Sequence, residues 1–225
     1  MFRWLRRAPP PSSEEKRRVL DALTGYPAYS PPVWDPDKSF RDSVAEYENF
    51  FLANKEGRIE ALAVFLANFD VALSADERGL MAISSWCPRY ADLQVDGLER
   101  DCVADAYRYF EPPWTGPLLG LNPIFDLGIY LGESILSHDP KLRWRPIRAP
   151  DASCVTHNIV FGQRFFQLFD PVRWMYTECN NIRADKLAKA RRLPAYPTMG
   201  LLEEDALFRH IEWEARKLCG KKPKA

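Results

Sequence analysis

The chain has 225 residues and carries 31 Lys and Arg against 31 Asp and Glu, so no overall field gathers a polyanion, and a nucleic-acid role would need a local basic patch. Hydrophobic residues make up 46% and charged residues 28%, ordinary globular proportions, and the length suits one substantial core. The five cysteines, Cys87, Cys102, Cys154, Cys179 and Cys219, are scattered without a C-x-x-C pair, which argues against a zinc knuckle or disulfide framework and favours a reducing, cytoplasmic setting.

Residues 1–38 read as a disordered, Pro-rich N-terminal segment with one short helix. Met1-Phe-Arg-Trp-Leu-Arg-Arg7 is basic and aromatic, but prolines follow at once and leave no apolar run for a signal peptide. No stretch anywhere approaches the roughly 20 apolar residues of a spanning helix. Ser12, Ser13, Glu14 and Glu15 supply caps and first-turn acids for the short helix, which runs to Leu23 and ends at Gly25. Residues 26–37 then interleave prolines with Tyr29, Val33 and Trp34 as an extended linker; ordered Pro-aromatic packing on the body is preferred over a ligand for an SH3-like partner.

Residues 39–220 read as a single α+β domain, mainly helical with a small three-stranded antiparallel sheet, and residues 221–225 as a basic tail. Phe40, Val44, Tyr47, Phe50 and Phe51 mark a helix through about Asn54, broken at Gly57, and Ile59, Leu62, Leu66 and Phe69 mark the next. Ser74 and Glu77 form a capping-box pattern for a helix stopped by Pro88, and residues 98–110 give another. Asn122 and Pro123 then suit the N-cap and first position of a central helix so apolar that it must be buried, with Gly128 and Gly132 four apart on one face for close approach by another element. It ends near Pro140. Residues 142–148 alternate as an edge strand, residues 155–161 and 164–169 form a hairpin about Gly162 and Gln163, and Asp170-Pro171 starts a helix that relaxes at Asn180 and Asn181. A short basic helix over 184–193 and a last helix over about 202–219 complete the pattern; the latter has acids in its first turn and Arg216 and Lys217 in its last.

The series Gly128-Ile-Tyr-Leu-Gly-Glu133, Trp144, a hairpin, and Asp170-Pro-Val-Arg-Trp174 resembles a loose group of uncharacterised bacterial proteins, in which a Tyr-Leu-Gly-Glu helix precedes a Trp-bearing strand and an Asp-Pro helix start. The resemblance covers roughly residues 57–182 and implies an α+β fold; it carries over no activity, ligand or catalytic residue.

Three chemistries compete. Glu133, on a largely apolar helix and next to Gly132, would be a general base if desolvated, although pairing with Arg143 or Arg145 is the preferred expectation. Cys154 and His157 form a C-x-x-H pair, but residues three apart on a strand point to opposite faces, and no second pair completes a metal set. P-loop, dinucleotide and nucleophile-elbow motifs are absent from the sequence. Arg143, Trp144, Arg145 and Arg148 would make a binding strip, for a single strand of nucleic acid or for an acidic protein, although an exposed strand edge kept soluble by its charges is the preferred expectation for the run itself. The expectation is therefore a non-catalytic protein that binds another macromolecule, another protein rather than a nucleic acid, in the manner of a bacterial immunity or accessory protein, with no cofactor and no metal. The alternative is a hydrolase-like enzyme using Glu133 with His157 or Cys154, and the third is a single-strand nucleic-acid binder.

Overall fold

The computed structural model describes residues 13–74, 76–147, 155–161, 168–192 and 205–219. They form a mainly helical α+β fold with a small three-stranded antiparallel sheet. Its axis is helix α5, Leu121–Leu136, in which every side chain from Leu121 to Gly132 is buried. The other elements are arranged around it: α1 Ser13–Leu23, α2 Phe40–Ala67, α3 Glu77–Tyr90, α4 Asp101–Arg108, α6 Pro171–Ala190 and α7 Ala206–Leu218. Strands β1 Leu142–Ile147, β2 Thr156–Phe161 and β3 Leu168–Phe169 lie in the order β1-β2-β3, with Trp144 opposite Ile159 and Pro146 opposite His157. The hairpin residues 162–167 lie outside the described residues.

The two glycines of α5 do what their spacing predicts. A Cβ on Gly128 would sit 2.5 Å from the Cα of Val172, so the start of α6 rests directly on the α5 backbone, and a Cβ on Gly132 would overlap the indole of Trp144. That indole fills the space a side chain would take, which is why Trp144 is buried and β1 is held against α5.

Several boundaries differ from the expectation. Gly57 does not break a helix: α2 runs through it for 28 residues, because Tyr47, Phe51, Arg58, Leu62, Phe65 and Leu66 form one continuous buried stripe that outweighs the propensity cost of one exposed glycine, about 1 kcal/mol. The cap of α3 is Asp76, whose side chain accepts the Gly79 N–H while the Ser74 hydroxyl donates to that same carboxylate. Pro88 lies inside the last turn, and the chain tightens into a 3-10 turn, Ala91–Leu93, only after Tyr90. Asn122 does not cap α5, which starts one residue earlier; its side chain accepts the Tyr29 N–H at 2.7 Å and donates to the carbonyls of Trp114 and Leu119. Asn180 and Asn181 do not relax α6, which continues to Ala190 and absorbs the separate basic helix expected there, anchored by buried Cys179, Ile182 and Asp185. Asp170 and Pro171 start α6 as expected, with Asp170 Oδ1 accepting the Arg173 N–H at 2.8 Å.

The Pro-rich segment packs on the body. Val19 and Leu23 of α1, followed by Tyr26 and Tyr29, are all in the core, so the chain before α2 forms a strap across α5. Tyr29 sits 4.5 Å from the ring of Phe125 on α5 and 5.6 Å from that of Phe50 on α2.

Candidate functional site

Glu133 lies where α5, α2 and β1 meet. Its Oε1 accepts the indole N–H of Trp144 at 2.6 Å and faces Lys55 Nζ at 2.9 Å. The carboxylate is thus matched, but by Trp144 and Lys55 rather than by Arg143 or Arg145. His157 packs elsewhere on the inner face of the sheet, stacked on Phe51 at 4.0 Å, and Phe51 in turn meets Trp144 edge-on at 5.2 Å. An aromatic ring therefore lies beside both residues, and no Glu133–His157 hydrogen bond occurs among those the structure shows. Cys154 and Arg148 lie outside the described residues. Trp144 requires a correction as a binding residue: its ring is buried, so of the described residues of the expected strip only Arg143, exposed, and Arg145, half-buried, face outwards.

Burial drives His157 down to about 3, and its Nε2 has no hydrogen-bond partner among the described residues. The unfolded chain therefore takes up a proton near 6.5 that the folded chain refuses, so the stability contributed by the neutral ring is full above 6.5 and drains away as pH falls towards 3. Asp126 and Asp170, both raised to about 6, act in the opposite sense, gaining stability as pH falls through that value. His157→Phe isolates the first effect: the wild type should lose about 2 kcal/mol more than the variant between pH 7 and pH 4.5, measured by urea unfolding at each pH.

The strongest buried polar network was not anticipated. Asp126 is fully buried on α5, and Arg58 of α2 grips it with two nitrogens, Nε to Oδ1 at 2.8 Å and Nη2 to Oδ2 at 2.6 Å. Tyr26 adds its hydroxyl to Oδ2 at 2.6 Å, and Arg58 Nη1 donates to the Pro27 carbonyl at 2.7 Å. Burial still outweighs these partners and lifts Asp126 to about 6. Two signals could have found it: an Arg on the apolar stripe of α2 and a lone Asp inside an apolar helix.

A cleft of about 110 Å³ opens between the end of α4, the sheet and the start of α6, lined by Tyr107, Phe110, Thr156, Asn158 and Asp170 with Arg108 and Arg173 beside them. Tyr107 donates to the Val172 carbonyl at 3.0 Å, and Thr156 donates to the Ile147 carbonyl at 3.0 Å. In the orientation that satisfies both ends of its amide, Asn158 donates to Asp170 Oδ2 at 3.1 Å. Burial raises Asp170 to about 6 despite the cap it makes. Chemically, this is one carboxyl able to exchange a proton near neutrality, in a polar notch whose hydroxyls already donate to backbone carbonyls.

The basic run of residues 183–192 is largely matched by acids. Lys186 and Arg183 converge on buried Asp92, Arg183 also reaches Glu99 at 3.3 Å, and Lys189 pairs with Asp185. Burial raises Asp92 even so, ahead of the lowering by Lys186 and Arg183. Of its basic residues only Arg191 and Arg192, past the end of α6, stand exposed.

Where the strap turns into α2, apolar side chains face outwards. Val33 is 90% exposed and Phe40 61%, while the half-buried Trp34 lies between Phe40, 6.0 Å away, and the buried Tyr47, 6.1 Å away.

Among the described residues no helix is long and apolar enough to cross a membrane, and no group of three or more His, Cys, Asp or Glu could hold a metal ion. Set against models of protein families, curated proteins and solved structures, the chain matches none.

Proposed function

We propose that the chain works by binding another protein, and that the contact is made at the corner of Val33, Trp34 and Phe40. The observation that carries this reading is the exposure of Val33 and Phe40 around a Trp already braced from behind by Tyr47. A braced aromatic loses little side-chain freedom on binding, and Trp is a residue on which interface energy concentrates. Asp35, Asp37, Lys38 and Arg41 surround the corner with both signs of charge, the polar rim such contacts use. Cys87, Cys102 and Cys179 are free thiols, which supports a reducing, cytoplasmic setting, and an accessory or immunity role of the bacterial type is the class to which such a protein would belong. The exposed Arg143 of β1 is secondary in this reading, because the Trp beside it is turned inwards.

Phe40→Ser and Val33→Glu change exposed positions and should leave the fold intact. Tagged wild-type protein recovered from its native host should bring down a stoichiometric protein that the double variant does not. Recovery of that protein unchanged with the double variant, or of no protein with the wild type, defeats the proposal.

A further inference from the structure

The Asp170 cleft holds opposite charges that the fold does not join. It shares no residue with the aromatic corner, and of its lining only Arg108 and Arg173 are exposed, the rest being buried or half-buried. Arg173 stands three residues beyond Asp170, within reach of its carboxylate. Yet the bond between them is the cap alone, from the Arg173 backbone N–H to Asp170 Oδ1 at 2.8 Å, and the Arg173 guanidinium has no ion pair or hydrogen-bond partner among the described residues. Arg108, at the end of α4, adds a second cation and spends one nitrogen on Asp105 at 3.4 Å. A carboxylate and a guanidinium thus line one small space without touching.

The remaining groups restrict what can enter. Thr156 Oγ1 gives its hydrogen to the Ile147 carbonyl at 3.0 Å, so towards the cleft it can only accept. Asp170 accepts one bond at each oxygen, from Arg173 and from Asn158 at 3.1 Å, and an ionised carboxylate has about four acceptor sites, so lone pairs remain. Phe110, Ile147 and Val172 supply apolar lining beside these acceptors. A simple anion would meet Arg173 but be repelled by Asp170, and a simple cation reverses the problem. A ligand with both charges on neighbouring atoms suits both walls, and a cleft of about 110 Å³ limits it to few atoms.

We propose that this cleft binds a small free α-amino acid: its carboxylate is held by the Arg173 guanidinium with Arg108 beside it, its ammonium by Asp170 and Thr156 Oγ1, and its short side chain lies against Ile147 and Phe110. The ammonium brings three donors to a wall made of acceptors. Asp170, raised to about 6 by burial, is a carboxylate that gains from a cation placed against it.

Alanine is the probe, and its two controls are propionate, which lacks the ammonium, and ethylamine, which lacks the carboxylate. Each is titrated at about pH 8, where Asp170 is ionised, into the full chain carrying labelled Ile, Val and Thr methyl groups and followed by NMR. Alanine should shift the methyls of Ile147, Thr156 and Val172 saturably, with a dissociation constant of about 1 mM or tighter. Propionate and ethylamine should each bind roughly tenfold more weakly or worse, the loss expected when a charge-assisted contact is not made. Arg173→Gln alters an exposed side chain and keeps the backbone N–H that Asp170 caps; it should weaken alanine roughly tenfold or more and leave ethylamine unchanged. Asp170→Asn keeps an oxygen for the cap but removes the charge, and should erase the advantage of alanine over propionate. No saturable shift with alanine, equal binding of either control, or alanine binding unweakened in Arg173→Gln would each overturn the proposal. If Asp170→Asn does not fold, the three probes and Arg173→Gln decide it.

Discussion

Replacing Arg58 with Met should destabilise the protein by about 3–5 kcal/mol, the range in which a buried ion pair loses one partner. The guanidinium gives two hydrogen bonds to Asp126 and one to the Pro27 carbonyl, so its removal strips α5, α2 and the strap of a shared anchor at once. Asp126 is already raised to about 6 by burial; without Arg58 it rises further and takes up a proton at neutral pH, which limits the damage. Arg58→Met combined with Asp126→Leu should recover much of the loss, because two apolar groups need no mutual satisfaction. Urea unfolding of the two single variants and the double variant closes a double-mutant cycle, and additive losses would show that the pair is not coupled.

Gly128→Ala should cost about 3 kcal/mol or more, while Gly57→Ala should stabilise the protein by about 0.5–1 kcal/mol. Both glycines lie inside helices, and helix propensity alone favours Ala at each. They differ in what the new methyl meets. At Gly57 there is nothing within 4 Å; at Gly128 the methyl meets the backbone of Val172, which cannot turn aside as a side chain would. Relief requires moving the start of α6, which also carries the Asp170 cap and the Tyr107 bond to Val172. Thermal unfolding of the two variants side by side tests this, and a shift of the same sign in both would disprove the close approach.

The parts of this fold that were legible from sequence are those fixed by local chemistry. The burial of α5 followed from apolar residues on most of its surface, the close approach at Gly128 and Gly132 from their spacing, and the start of α6 from Asp170-Pro171. The sheet followed from the change of period after Pro140. Boundaries that depend on tertiary support were misread: Gly57, Pro88 and Asn180 all carry helix-breaking propensity, and each sits inside a helix whose buried face holds it in place. The Asp170 cleft draws on α4, β1, β2 and α6, so it has no local signature. The fate of Trp144 shows the same limit. Alternation placed it on one face of β1, but only the missing side chain of Gly132 shows which face is inside.

The strap also bears on the order in which the chain can assemble. Tyr26 and Asp126 are 100 residues apart, and Tyr29 and Asn122 are 93 apart. At typical synthesis rates of roughly 5–20 residues per second, Tyr26 is added to the chain about 5–20 s before its carboxylate exists. Until then nothing in α5 is available to hold the strap, and closing so long a loop adds an entropic charge that local helices do not carry. Arg58 is made in the same interval and can keep its cation in water until Asp126 appears. The anion is therefore the last member of the trio to be synthesised, and both of its neutralising partners precede it.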